Sequence, residues 1–385
     1  MSSLRIAVDA HRLVCEPLTS GATYLRTLVS EWIRRADAPE VDLLIPYPPG
    51  PELARQPLFT DRKVRLISPA QAADPIASFR AQFFWQQRII PALLRRNRPQ
   101  VYFSPFHLTP QLPLGLRMAT TIHDLCFLTE PRCSRGSLIH GMQVWSACLR
   151  AARLVCVSQF TFDMLSRWSP QFARKAKVVH NGIEGRTMPL AEARDRVGRL
   201  CAELAPRQYL LWIGHPSHRK NPELLFDIFG VYHQRWPDHK FVVVAPAATQ
   251  EQVRALAQSS GVLPALRLFS GINDLTRDAL YRCAQALVFP SRCEGFGYPV
   301  LEAMFQGCPP LSVQNGPTRE MVEGIVPLVA EPSSPAFLDV LGWCAAMSAA
   351  GRDRVEADLI SRAGQFSSKA MADGTLDVLK QAAFE

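Results

Sequence analysis

The sequence predicts an α/β protein built from two consecutive Rossmann-like domains. Three observations carry that expectation. Short apolar runs of strand type alternate with helical patterns along the whole chain. The alternation stops over residues 183–207, which are rich in Arg, Glu and Ala, and then begins again. A chain of 385 residues is also too long for one ordinary core and suits two domains of roughly 150–200 residues each.

In the first half, residues 4–9, 42–46, 64–68, 100–104, 119–123 and 153–158 read as strands. Helical patterns lie between them, at 24–35, 79–96 and 159–168, and an Asn181-Gly182 turn closes this half. The second series has strands at 209–214, 241–245, 267–270, 286–290 and 310–313. Helices at 222–232, 250–258, 274–284 and 299–306 connect them, and an Ala-rich helical segment from about 350 ends the chain. The expected domains are 1–185, 186–360, and a C-terminal helix, 361–385, packing back toward the first domain. Two such halves imply a cleft at the carboxyl ends of their strands.

Composition narrows the class. Apolar content of 48% with 20% charged residues belongs to a soluble globular protein. No stretch approaches a membrane span, and the start reads as a first strand and not a secretory signal. Ten cysteines sit singly, with no C-x-x-C pair, which argues for a reducing cytoplasm and against zinc or a disulfide framework. The formal charge of +9 is uneven: residues 1–185 hold 23 Lys/Arg against 13 Asp/Glu, and residues 186–385 hold 20 against 21. No nucleic-acid signature accompanies the basic half, so an anionic membrane surface is the better partner. Phe83-Phe84-Trp85, followed by Arg88, Arg95, Arg96 and Arg98, forms an aromatic and basic helix. Trp85 is expected in the core and the arginines at lipid.

The richest motif runs from Pro290 to Met304. An apolar strand feeds a Gly295-Phe296-Gly297 turn and a helix opened by Pro299, with Glu294 before the glycines and Glu302 expected in the first helical turn. Strand, glycine turn and helix N-terminus make an anion site, usually for phosphate. Two glutamates would repel that phosphate, so they should face hydroxyls. Phosphate beside polyol describes a nucleotide sugar. Glu302 has two roles open to it, balancing the helix dipole or accepting from both ribose hydroxyls. Glu294 would reach the transferred sugar, and the amides of Gly295 to Gly297 the distal phosphate. A second loop, Gly214 to Asn221, carries Arg219 and Lys220, a fork and a point charge suited to a diphosphate.

In the first half, His123-Asp124 closes a strand, where a histidine is either structural or catalytic. Gly21, within Ser20-Gly21-Ala22-Thr23, is expected in the turn between a strand and the next helix, an acceptor or phosphate loop.

Together these residues resemble the retaining glycosyltransferases of family 4, with the GT-B fold, and their mannosyltransferase-like branch. Glu294 to Glu302 is similar to the family's E-x7-E signature, and the Gly-to-Arg-Lys-Asn loop to its diphosphate loop. The resemblance implies that Arg219 and Lys220 bind the donor diphosphate, Glu302 the ribose, and Glu294 with the Phe296-Gly297 backbone the sugar. It implies that His123 contacts the sugar near the reacting carbon. One departure stands out: the family's first loop usually carries a glycine pair, and here Gly21 is followed by Ala22 and Thr23.

The expected activity is transfer of a hexose, mannose or rhamnose in type, from a nucleoside diphosphate sugar such as GDP-mannose to a hydroxyl. The acceptor would be a lipid-linked or polysaccharide chain, as in bacterial lipopolysaccharide O-antigen synthesis, at the inner face of the cytoplasmic membrane. No Asp-x-Asp motif or metal cluster is evident, so no metal or other cofactor is expected. The rivals are a sugar-nucleotide epimerase, a soluble glucan or sucrose-type synthase, and a non-catalytic nucleotide-sugar sensor.

Overall fold

Alternating apolar strands and crossover helices leave only one arrangement for short connections: parallel strands, side by side, with helices on their faces. The computed structural model describes residues 4–17, 19–71, 78–111, 115–129, 135–314 and 316–384. It divides the chain into two compact units, Met1–Ile183 with Ser367–Glu385, and Glu184–Phe366.

Unit 1 contains β1 (Arg5–Asp9), β2 (Glu40–Leu44), β3 (Val64–Ile67), β4 (Val101–Ser104), β5 (Arg117–Ile122), β6 (Arg153–Cys156) and β7 (Ala176–Val178). They form one sheet in the order β3-β2-β1-β4-β5-β6-β7, and every pairing is parallel. The strand β7 is an addition to the sequence reading, being only three residues long and half-polar. Ile6, Val8, Val41, Leu43, Val101 and Phe103 are fully buried, each worth about 1.5–3 kcal/mol as a large side chain removed from water.

The C-terminal helix Ser368–Phe384 belongs to this core. Met371, Ala372, Leu376 and Leu379 pack with Trp32 and Val29 of helix Ser20–Arg34, and the Trp32 indole N–H donates to the Ala372 carbonyl at 2.9 Å. The helix expected over 79–96 holds a π-helical turn at Trp85–Ile89. That turn directs Trp85 inward, where its N–H donates to buried Asp9 at 3.1 Å. Phe83 and Phe84, by contrast, are half exposed.

Unit 2 contains β8 (Tyr209–Ile213), β9 (Lys240–Val244), β10 (Leu266–Phe269), β11 (Ala286–Phe289) and β12 (Pro310–Ser312), in the order β10-β9-β8-β11-β12. All pairings are again parallel. The stretch 183–207, free of strand-type runs, forms helix Leu190–Leu200.

Each sheet therefore has one place where strand order reverses, between β1 and β4 in unit 1 and between β8 and β11 in unit 2. Loops leaving the two strands at such a point diverge and leave a crevice at their carboxyl ends.

Candidate functional site

The two loops that leave β8 and β11 carry the two motifs. After β8 the chain makes a 3-10 turn, His218–Lys220. Asn221 then takes a left-handed conformation, φ 54°, before Pro222 starts the next helix; asparagine is among the few residues other than glycine that visit this region routinely. After β11 the chain runs through 290–297 and turns at Gly297, φ 103°. That backbone conformation favours glycine, and a Cβ there would also crowd Thr318 Cγ2 at 3.2 Å.

Several contacts join the loops. The Arg292 N–H donates to the Arg219 carbonyl at 2.8 Å. Asn221 Nδ2 donates to the Pro290 carbonyl at 3.3 Å. Lys220 Nζ lies 2.7 Å from Glu294 Oε1 and 4.8 Å above the Phe289 ring. Glu294 is buried, as are Gly295, Phe296 and Gly297. A small cavity beside Glu294 is lined by Ser291, Ser312 and Thr318 among others. The hydroxyls of Ser291 and Ser312 are buried with no hydrogen-bond partner, so this cavity can take a ligand hydroxyl or water. Neither serine was singled out from the sequence, since a serine beside a strand end carries no spacing signal.

Glu302 corrects one expectation. Its helix begins at Tyr298, and no acidic residue lies in the first turn. Dipole stabilisation, which falls off within that turn, therefore gives no account of it. Glu302 instead faces helix Asp274–Cys283, accepting from the Tyr281 hydroxyl at 3.0 Å with Arg277 Nη1 at 3.4 Å. Burial raises its carboxyl above the usual range, against the opposing pull of Arg277 and Tyr281. The carboxylate has about four lone-pair sites, so each oxygen retains one for a further donor. Arg277 and Tyr281 sit four apart on one helical face, a spacing that places both on Glu302.

Gly21 corrects another. It lies in the first turn of helix Ser20–Arg34, which Thr19 caps by accepting from the Ala22 N–H; a short helix, His11–Cys15, separates it from β1. The glycine is there for space, since a Cβ would stand 2.9 Å from Phe106 Cε1 and 3.1 Å from Arg12 Nη1.

His123 follows β5 directly. It stacks on Phe106 at 5.6 Å and meets Tyr24 edge-on at 4.9 Å. Its Nε2 lies 2.8 Å from the Pro105 carbonyl, which makes Nε2–H the donor and leaves Nδ1 as the acceptor. Burial lowers its pKa, against the pull of that carbonyl and of Asp124. Asp124 itself accepts from the Cys126 N–H at 3.1 Å. The structure thus gathers Arg219, Lys220, Glu294 and the Gly295–Gly297 turn at one switch point. Gly21 and His123 lie together around Phe106 at the other sheet's carboxyl edge.

Chemically, unit 2 offers fixed cations and a helix N-terminus to an anion, and buried carboxylates to hydroxyls. Similarity to known proteins gives the family. Residues 203–338 match the family described as Glycosyl transferases group 1, and residues 21–185 match Glycosyltransferase Family 4. The O-antigen chain mannosyltransferase B of Escherichia coli is 25% identical over 336 residues, covering 85% of this chain and 81% of that protein. The serotype-specific mannosyltransferase WbdA of the same organism is 25% identical over 220 residues, 51% of this chain. This chain spans only 27% of WbdA's length. Among solved structures, the sucrose-phosphate synthase of Thermosynechococcus elongatus superposes with a TM-score of 0.77 at 18% identity, covering 98% of both chains. The chain belongs to glycosyltransferase family 4 and has the GT-B fold.

Proposed function

We propose that this glycosyltransferase moves a hexose, mannose or rhamnose in type, from a nucleoside diphosphate sugar such as GDP-mannose to a hydroxyl of a lipid-linked or polysaccharide acceptor, with retention at the anomeric carbon. The observation that carries the reading is the Lys220–Glu294 pair at the unit 2 switch point, beside Arg219 and the Gly297 helix start. Cation and carboxylate alternate there as a diphosphate sugar requires. Arg219 and Lys220 hold the diphosphate, the Gly295–Gly297 amides its distal phosphate, Glu294 the sugar hydroxyls and Glu302 the ribose. His123 contacts the sugar near the reacting carbon.

In the reaction the bond from the anomeric carbon to the diphosphate oxygen breaks, and the acceptor oxygen bonds that carbon from the same face. The acceptor's proton passes to the departing phosphate oxygen. Charge on that leaving group is stabilised by Arg219, Lys220 and the helix dipole, so the reaction proceeds without a metal or other cofactor. The similarity to an O-antigen mannosyltransferase supports the sugar and acceptor class.

Peripheral contact with an anionic membrane on the cytoplasmic side belongs to the same reading. No described helix is long and apolar enough to cross a membrane. Helix Arg135–Arg150, however, exposes Leu138, Met142, Trp145 and Leu149 by 56%, 72%, 38% and 57%. These positions share one face, and the half of the chain that bears them carries the basic excess.

The test is a thermal-shift panel of UDP, GDP, ADP and their sugars, followed by transfer assays with and without chelator. A nucleotide-selective rise supports the donor site; no shift with any nucleotide rejects it. Conversion of donor in the absence of acceptor identifies an epimerase instead.

A further inference from the structure

Unit 1 has a switch point of its own, between β1 and β4, and the groups gathered there are mostly bases. Arg12, in the helix that follows β1, lays its guanidinium 4.3 Å from the Phe106 ring centre. His123 stacks on the same ring. His107 follows Phe106 in the loop after β4 and meets His140, from helix Arg135–Arg150, edge-on at 4.3 Å. Gly21, having no Cβ, lets Phe106 and Arg12 Nη1 pack directly against its backbone. Four elements distant in sequence thus bring one guanidinium and three imidazoles to the carboxyl edge of the sheet, where ligands of open α/β sheets bind.

The acids near this group are each engaged, and Glu16 partly offsets the Arg12 charge. Asp9 accepts from His11, Trp85 and Gln86 at 2.8, 3.1 and 2.6 Å. Glu16 lies 3.5 Å from Arg12 Nε, and the Asp124 carboxylate accepts from the Cys126 amide. Burial, with His140, His123 and Arg12 as its electrostatic neighbours, holds His107 well below the ordinary imidazole value. A doubly charged oxyanion placed among these groups would supply the counter-charge that lets the imidazoles protonate, and would accept hydrogen bonds from each.

We propose that Arg12, His107 and His140 form a binding site for a phosphate monoester carried by the acceptor. Arg12 supplies the permanent charge and planar fork, and the two imidazoles take up protons as the phosphate enters. Loading is therefore linked to proton uptake and strengthens below neutral pH. Only the word acceptor rests on the glycosyltransferase reading; the phosphate site does not.

The test is NMR of the full chain with histidines labelled at the ring Cε1, titrated in pH with and without inorganic phosphate, then with a hexose phosphate and with the unphosphorylated hexose. His107 should titrate about one pH unit higher with phosphate present. The response should disappear in Arg12→Gln and in the His107→Asn/His140→Asn double variant. The hexose phosphate should bind about tenfold more tightly than inorganic phosphate, and the free hexose should leave His107 unmoved. An unchanged His107 midpoint, or a response that survives both variants, overturns the site. Inorganic phosphate binding as tightly as the ester assigns the site to free phosphate and overturns the acceptor assignment. Nucleotide-induced thermal shift of each variant verifies folding. Absence of that shift in the wild type would count against the donor site alone, leaving the histidine readout to decide this one.

Discussion

Lys220 and Glu294 lie within 2.7 Å of each other although 74 residues separate them in sequence. Both side chains are nearly buried, at 14% and 9% exposure. A pair of this kind holds its loops in place only while both partners remain, because removing one leaves an uncompensated buried charge.

Lys220→Ala is accordingly expected to do two things. It should lower kcat/KM by about 100- to 1000-fold through loss of charge on the leaving diphosphate. It should also lower the melting temperature in the absence of donor, through unpaired Glu294. The double variant Lys220→Ala/Glu294→Gln should recover the stability but not the activity. Recovery of both would show the pair to be merely structural.

Glu302→Gln should raise the donor KM about tenfold to a hundredfold, the worth of charge-assisted hydrogen bonds to ribose, with a smaller change in kcat. The wild-type KM should also rise as pH falls, at a pH above the ordinary glutamate value of about 4.3, because the carboxyl is raised and donor binding needs it ionised. The variant should lack that acid limb. For stability the sign is opposite: a raised carboxyl favours the fold below the unfolded value, and that contribution is lost as pH rises through the folded value. KM profiles and chemical denaturation between pH 4 and 8 check both.

His123→Ala should abolish transfer while leaving the nucleotide-induced thermal shift intact. The imidazole is lowered, so it is neutral through the physiological range. Its contribution to stability is present above the unfolded value of about 6.5 and lost as pH falls through the folded value. Denaturation midpoints measured from pH 7.5 to 5 should fall, and fall less in the variant.

Gly21→Ala places a methyl 2.9 Å from a buried ring. The cost should be about 1–3 kcal/mol, as for other overpacked sites, read as a lower melting temperature. Because Phe106 carries both His123 and Arg12, transfer should fall more than stability does. Unchanged kinetics would remove Gly21 from the site.

Serine at Leu138, Met142 and Leu149 together should weaken binding to vesicles containing anionic lipid, with little change in melting temperature, since these side chains are already exposed. Cosedimentation at two salt concentrations checks it, because the basic part of the attraction is screened.

The α/β class, the positions of most strands along the chain and the motif loops were all legible in the sequence. Each is local: a run of Ala286-Leu287-Val288-Phe289 has few choices but a buried strand, and a glycine with a proline two residues on marks a helix start. The short strand Ala176–Val178 and the π-turn at Trp85–Ile89 were not legible. Pairing to a neighbouring strand makes the first, and the bond from Trp85 to Asp9 accompanies the second.

The sequence by itself determined which residues carry the charge, Arg219 and Lys220 after one strand and Glu294 and Glu302 after another, because residue type and position in each motif are enough for that. It also misjudged two surroundings, setting Glu302 at a helix terminus and Gly21 in a strand–helix turn. Tertiary structure decided what each residue meets: Glu302 on Arg277 and Tyr281, Gly21 under Phe106, Lys220 on Glu294, and His107 against His140. The physical reason is that a parallel sheet joins loops that are far apart in the chain at one edge. Contacts there depend on strand order, and no spacing rule within a single segment encodes it.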